Sequence, residues 1–401
     1  MSVPTAERSI FHGLKVVEFA QIIAGPLAGT LLADLGADVV HVEAPKIGDP
    51  TRGMGPEKNG VHLWWKVSGR NKRSVTLDLR SEAGQAVAHR LAEWADVVIV
   101  NFRFNTLERW GLDWPTLHRI NPKLIVLQVS GHGATSSKRD DPGFGKVGEA
   151  MSGVVFVTGF PDGPPVHTGF SHGDSVTGLM GAFAISAALY RRHEPDFDGE
   201  WIDLALFESL FRLIEWQVIA YDQVGMLPVR AGNQLSIAPG TVVNTYLTAD
   251  NHWITVTSAT LRSVTNVAIL LGLPPDEFET AEQQFAQRRE LDDGLRAFVA
   301  AREAEQCLAE MRACDVVASR IYSVADILDD VTYAERENIV SVEDPDLGTV
   351  RMQAVIPKLL NHPGRVWRAG TALGADNEFV YKQFLGMGDE EYEQLRADAT
   401  I

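Results

Sequence analysis

K-V-V-E-F-A at Lys15–Ala20 reads as a buried strand, and the segments that follow it decide the fold. P-L-A-G-T-L-L-A-D-L at Pro26–Leu35 predicts a helix that opens on proline, where a missing N–H costs nothing. V-V-H-V-E at Val39–Glu43 predicts the next strand. The alternation then recurs: strand at Ser74–Leu79, helix at Glu82–Trp94, strand at Asp96–Asn101, short helices at Thr106–Gly111 and Trp114–Asn121, strand at Leu124–Ser130. Strands separated by helices pair in parallel through crossovers, so the expected fold class is α/β with a Rossmann-like open parallel sheet. Such sheets bind ligands at the carboxyl ends of their strands. Those ends carry Gln21–Gly25, Leu77–Arg80, Asn101–Arg103 and Ser130–Gly133.

Beyond Asp140 the texture turns to Gly, Pro and aromatic residues, including F-P-D-G-P-P at Phe160–Pro165. A small-residue helix is expected at Ser175–Arg192, a strand at Glu200–Leu206 and a long amphipathic helix at Phe207–Gly225. A loop at Leu227–Gly240 leads into a hairpin, Val242–Leu247 and Trp253–Ser258, and then helices to about Ala313. The expected organisation is a large α/β domain over 1–225, a smaller α+β domain over 226–325, and a return to the large domain over 326–401. That last segment is read as a strand pair, Ile339–Val342 and Thr349–Val355, and a terminal helix at Asp389–Ala397.

The chain of 401 residues carries a net charge of −17, which would repel a phosphate backbone and makes nucleic acid an unexpected partner. Cys307 and Cys314 form neither a C-x-x-C pair nor a disulfide framework, which fits a reducing cytoplasm. The longest apolar run, Leu179–Tyr190, is broken by Gly181 and Ser186, so no membrane span is expected. The N-terminus lacks the basic-then-apolar pattern of a secretory signal.

Gly143-Phe-Gly-Lys-Val-Gly148 matches G-x-G-x-x-G, but T-S-S-K-R-D-D-P separates it from the preceding strand. A dinucleotide fingerprint must join strand to helix directly, so this context argues against one. The histidines show no metal-ligand spacing, and no G-x-S-x-G elbow is present. Arg70, Lys72 and Arg73 precede one strand, Arg80 follows it, and Arg103 and Arg109 follow another. They are candidates for a phosphate-binding mouth, against the alternative that loops are simply rich in cations.

Gly169–Leu189, G-F-S-H-G-D-S-V-T-G-L-M-G-A-F-A-I-S-A-A-L, is the sharpest segment. Asp174 stands at a helix mouth, followed by Gly178, Gly181 and Ala182. It reads either as an N-cap for the N–H of Thr177 or as a nucleophile forming a covalent acyl intermediate. In the second case the glycines would let a ligand carbonyl approach the backbone, and His172 is a candidate for orienting the substrate.

V-V-E-F-A-Q-I-I-A-G-P (Val16–Pro26), L-G-A-D-V-V-H-V-E (Leu35–Glu43), N-K-R-S-V-T-L-D-L (Asn71–Leu79), A-D-V-V-I-V-N-F (Ala95–Phe102), L-E-R-W-G (Leu107–Gly111) and G-D-S-V-T-G (Gly173–Gly178) occur in this order. Together they resemble the class III coenzyme A transferases, the family of formyl-CoA transferase, over nearly the whole chain. The resemblance implies an interlocked dimer of two ring-like chains and a catalytic Asp174. It also implies a CoA site of Ile23, Ala24, Leu77, Asp78, Leu79, Arg80, Asn101, Phe102, Arg103 and Arg109, with Lys146 near a further CoA-contacting stretch. No metal and no tightly bound cofactor are implied; the CoA thioester is a substrate. This chain departs at Ile23, where formyl-CoA transferase has Gln, and at Ala44, where it has Arg. The glycine-rich loop of that enzyme has no clear counterpart; Ala231–Gln234 stands near its place.

The activity so implied moves CoA from an acyl-CoA, expected to be a dicarboxylic one, to a carboxylic acid through aspartyl anhydride and aspartyl-CoA thioester intermediates. Arg230 is a candidate for holding a distal carboxylate. Three alternatives use related machinery. Intramolecular transfer within one diacid, of the mesaconyl-CoA type, needs the same nucleophile. Racemisation needs a His–Asp pair, and Phe144 or a close neighbour stands where racemases place that His. A non-catalytic partner subunit would be free to lose the aspartate that G-D-S-V-T-G retains.

Overall fold

A computed structural model describes residues 9–235, 237–238 and 240–401. The first eight residues, and Ser236 and Pro239 of the loop read at 227–240, lie outside the described residues. Contacts divide the chain into two compact units. One holds the described residues up to Val154 together with Thr168–Glu215 and Thr332–Ile401; the other holds Val155–His167 and Trp216–Val331.

In the first unit, β1 (Lys15–Phe19), β2 (Asp38–Glu43), β3 (Arg73–Thr76), β4 (Val97–Val100), β5 (Ile125–Ser130) and β6 (Glu200–Ala205) build one sheet. Its order is β3-β2-β1-β4-β5-β6, every pair parallel, so the mixed α/β fold with a parallel sheet stands. Period-two alternation puts successive side chains on opposite faces. Val17, Val40, Val75 and Val98 pack with Val87, Ala88 and Leu91 of α2 (Glu82–Trp94) on one face. Val16, Val39, Val97, Ile99 and Ile125 pack on the other with Ala28 and Leu32 of α1 (Ala24–Asp34) and Ile185 and Ala188 of α6 (His172–Arg191). Helices cover both faces, which is why valine and isoleucine fill both sides of these strands. Connections run to opposite sides of the sheet between β1 and β4, creating a crevice beyond their carboxyl ends.

Between β4 and α6 lie α3 (Phe104–Trp110), α4 (Trp114–Ile120) and α5 (Gly145–Met151). The C-terminal segment closes the edge at β3: Asp376 accepts from the Ser74 N–H, Asn377 from the Thr76 N–H, and Tyr381 Oη donates to the Thr76 carbonyl.

The apolar run after β6, expected as one helix, is broken. Helix Leu206–Phe211 tightens into a 3-10 turn at Arg212–Ile214, and Glu215 takes φ +40°, which ends the helical hydrogen bonding before Trp216–Val224. The two contact units part at this break and at 331/332, where 225/226 and 325/326 were expected, and Val155–His167, expected in the large domain, groups with the second unit. The second unit has its own three-stranded antiparallel sheet, with Trp253–Ser258 between Val242–Leu247 and Ala318–Arg320. Val242, Tyr246, Ile254 and Val256 pack there with Val267, Leu295, Phe298 and Cys307 of its helices.

Candidate functional site

The crevice holds a cavity of about 500 Å³ lined by Gln21–Ala24 after β1, Asn101–Arg103 after β4, Ser130 and Gly131 after β5, Asp141–Phe144, and Asp174. Loops from three strand ends meet there because the connections diverge between β1 and β4.

Asp174 is not a cap. α6 starts at His172 with Ser171 as its N-cap, which places Asp174 within the first turn. No hydrogen bond to its carboxylate forms among the described residues, and the group opens into the cavity. Burial, then the neighbouring Glu149 charge, push its pKa up from 3.8 to about 6, with Lys146 opposing. The buried Glu149 accepts from the Gly173 N–H at 3.0 Å and pairs with Lys146 Nζ at 2.9 Å. Lys146 also donates to the Thr168 and Phe170 carbonyls, so it braces the start of α6 and does not line the cavity. Glu149 escaped the sequence reading, although its i,i+3 spacing from Lys146 was a usable signal.

The glycines of G-x-G-x-x-G prove to be steric. A Cβ on Gly143 would lie 2.5 Å from Gly131 Cα, one on Gly145 2.1 Å from Asp174 Oδ2, and one on Gly148 2.9 Å from Leu206 Cβ. Gly178 and Gly181, expected to admit a ligand, instead admit Leu27 of α1 and Leu127 of β5 at 2.8 and 2.7 Å from such a Cβ. Close helix packing uses them up.

Of the other candidate residues, Ile23, Ala24, Asn101, Phe102, Arg103 and Arg109 line the same cavity as Asp174. Asn101 spends its side chain on the Gln21 backbone, accepting its N–H at 2.9 Å and donating to its carbonyl at 2.7 Å. Leu77, Asp78, Leu79 and Arg80 line a separate cavity of about 140 Å³ with Ala44, Phe102 and Trp110. Leu77 and Leu79 are buried in the core, and Arg80 forks onto Asp78, which holds that carboxyl below its ordinary range. His172 lies tilted against the Phe170 ring, at 5.3 Å between centroids, and lines neither cavity. Arg230 belongs to the second unit, where it donates to the Phe156 carbonyl.

Arg70, Lys72 and Arg73 do not join a ligand mouth. They sit at the amino end of β3, and Arg70 binds Asp34, Lys72 binds Glu18, and Arg73 lies over Phe379. Arg139 was missed because it lies in the polar T-S-S-K-R-D-D-P stretch. It reaches the cavity while pairing with Glu108 and stacking on Phe104. Among the described residues, no helix is long and apolar enough to cross a membrane.

A parallel sheet whose switch-point crevice presents an unpaired carboxylate beside cationic strand ends defines an α/β enzyme built to handle an anionic ligand. The model of CoA-transferase family III matches residues 11–377, and the chain belongs to that family as a class III CoA-transferase. It is 39% identical over 394 residues, 97% of each chain, to the succinyl-CoA–D-citramalate CoA-transferase of Chloroflexus aurantiacus. It is 35% identical, again over 97% of each, to the beta subunit of the succinyl-CoA–L-malate CoA-transferase of that organism. A crystal structure of a CaiB/BaiF family protein from Brucella suis superposes with a TM-score of 0.83 at 30% identity, covering 94% of this chain and 99% of that one.

Proposed function

We propose that this enzyme transfers CoA from a dicarboxylic acyl-CoA to a carboxylic acid, with Asp174 as the nucleophile. One observation carries the proposal: the Asp174 carboxylate takes no hydrogen bond among the described residues, is half-buried, and opens into the switch-point cavity. Ionised, it attacks the thioester carbonyl; the C–S bond breaks, and CoA thiolate leaves behind an aspartyl–acyl anhydride. The thiolate then attacks the aspartyl carbonyl and releases the donor acid, leaving an aspartyl-CoA thioester. An acceptor carboxylate attacks that thioester and expels CoA thiolate, leaving an aspartyl–acceptor anhydride; the thiolate then attacks the acceptor carbonyl, forms the new thioester and frees the Asp174 carboxylate. Each thioester formed replaces one broken, so no nucleotide is consumed. The partly buried setting of Asp174 limits hydrolysis of the anhydride.

Arg103 and Arg109, both exposed at the mouth, would hold CoA phosphates, and the smaller cavity at Leu77–Arg80 would take the base. Succinyl-CoA is the proposed donor, since both Chloroflexus relatives carry it in their names. Phe144, 66% exposed at the cavity, offers no second base, which favours transfer over racemisation. Leu179, Phe183 and Tyr190 stand exposed along α6, and this apolar line supports a dimer of two copies.

The test is to incubate the purified protein with succinyl-CoA and a panel of acids and follow CoA ester exchange by mass spectrometry. Exchange with an adduct on the Asp174 peptide is expected, and Asp174→Ala is expected to abolish both while remaining folded. Full activity in Asp174→Ala would remove Asp174 from the mechanism.

A further inference from the structure

Beneath the Gln21–Ala24 wall runs a buried ionic chain that the proposed reaction does not use. Glu18, His41, Glu43, Asp49 and Lys72 are all almost fully buried. Lys72 Nζ binds Glu18 Oε2 at 3.0 Å and the Pro26 carbonyl at 2.6 Å. The same Glu18 oxygen lies 2.7 Å from His41 Nδ1, and His41 Nε2 faces Asp49 Oδ2 at 3.4 Å. Asp49 Oδ1 accepts from both the N–H and the hydroxyl of Thr51, at 2.8 and 2.6 Å. The Asp49 N–H donates to Glu43, which is forked by Arg52. Three carboxylates thus face three cations, the condition under which buried charges persist. Burial alone would lower the His41 pKa, but the flanking carboxylates raise it to about 9, so the imidazole carries its charge near neutrality.

The chain ends at Ile22, whose N–H donates to Asp49 Oδ2 at 2.9 Å. Ile22 has φ +72°, the left-handed region that β-branched residues avoid and hold only where their surroundings compel it. Ile22 and Ile23 lead straight into α1, and α6 packs on that start: a Cβ at Gly178, one turn after Asp174, would meet the Ala24 carbonyl at 3.0 Å. The wall and the helix carrying Asp174 are therefore in direct contact.

We infer that Asp49 is a positioning residue: its carboxylate, braced by His41 and Thr51, holds Ile22 in the left-handed turn and thereby fixes the cavity wall against which acyl-CoA seats. This inference rests on the CoA-transfer reading above. Strand-end loops ordinarily move more than the sheet beneath them. Here Asn101 grips Gln21 from β4 and Asp49 grips Ile22, so two successive residues are held from opposite sides.

Asp49→Asn keeps the size of the side chain but has only one acceptor oxygen. The two Thr51 donors retain it, which turns an amide donor against the Ile22 N–H. Expected are a loss of about tenfold in kcat/KM for acyl-CoA, carried mainly by KM, and CoA binding about tenfold weaker by calorimetry, with unchanged circular dichroism. Adding Ile22→Gly is expected to recover most of the loss, because glycine adopts positive φ without a holder; a purely structural Asp49 would show no such recovery. Wild-type values in Asp49→Asn, or a double variant no better than the single one, overturn the inference. Should Asp49→Asn not fold, Thr51→Val, which removes one brace, is expected to lose about threefold with the same recovery, and an unchanged enzyme there overturns it equally. Wild-type protein that neither binds nor exchanges CoA sinks the transfer reading; wild-type protein that does both, matched by Asp49→Asn, sinks only the anchor.

Discussion

The Asp174 carboxylate rests on the backbone of Gly145, so closely that a Cβ at residue 145 would stand 2.1 Å from Oδ2. The contact is mutual: a Cβ at Gly173 would lie 2.7 Å from the Gly145 carbonyl. The starts of α5 and α6 meet at two residues without side chains, and the carboxylate beside them lines the cavity.

Gly145→Ala tests that relationship. The added methyl group displaces the carboxylate by about an ångström, and misplacement of a reacting group on that scale costs about a hundredfold in rate. Expected is a fall of about that size in kcat with retained CoA binding; kcat within twofold of wild type would show that the carboxylate has room to spare.

Asp174 is expected to be held at the expense of stability. Its folded pKa of about 6 exceeds the 3.8 of an ordinary Asp, so the folded state binds the proton more tightly and loses stability as pH rises from about 4 to 6. Asp174→Asn removes that loss. Discounted for partial exposure, the gain is about 1 kcal/mol above pH 7, and it disappears below pH 4. Thermal unfolding of both proteins across pH 3.5–8 checks the sign.

The same pKa governs the reaction, since only the ionised carboxylate attacks. The kcat/KM for acyl-CoA is expected to fall tenfold per pH unit below about 6. Lys146 lowers the Asp174 pKa, so Lys146→Met is expected to move this acid limb to higher pH. A limb that stays in place or moves to lower pH would exclude Lys146 from tuning the nucleophile.

Arg103 and Arg109 are exposed cations at the cavity mouth, and Arg109 donates from Nη2 to the Thr106 hydroxyl. Replacing both with alanine is expected to raise KM for acyl-CoA about tenfold with little change in kcat. The difference is expected to shrink with added salt, as screening weakens the wild-type attraction. Steady-state kinetics at two ionic strengths measure both effects.

Much of this protein follows from local pattern. The alternation of strands with helices dictated the parallel sheet, because parallel neighbours need a crossover connection and a helix supplies it. The terminal helix at Asp389–Ala397 matches its reading residue for residue, since its polar and acidic first turn announces a start. Strand ends at Ile23, Asn101 and Arg103 were legible as cavity residues for the same reason. The break at Glu215 was not, because the apolar spacing continues through it and the left-handed backbone there leaves no mark on composition.

The chemistry-bearing residue types, and the order in which they follow the strands, were determined by the sequence itself. Tertiary structure alone decided that Asp174 is a free carboxylate and not a cap, that the G-x-G-x-x-G glycines serve close packing, and that Lys72 is buried against Glu18 away from any ligand. The physical reason is common to all three. Whether a polar side chain is partnered, and whether a glycine is crowded, depends on segments tens of residues away whose approach no local spacing records.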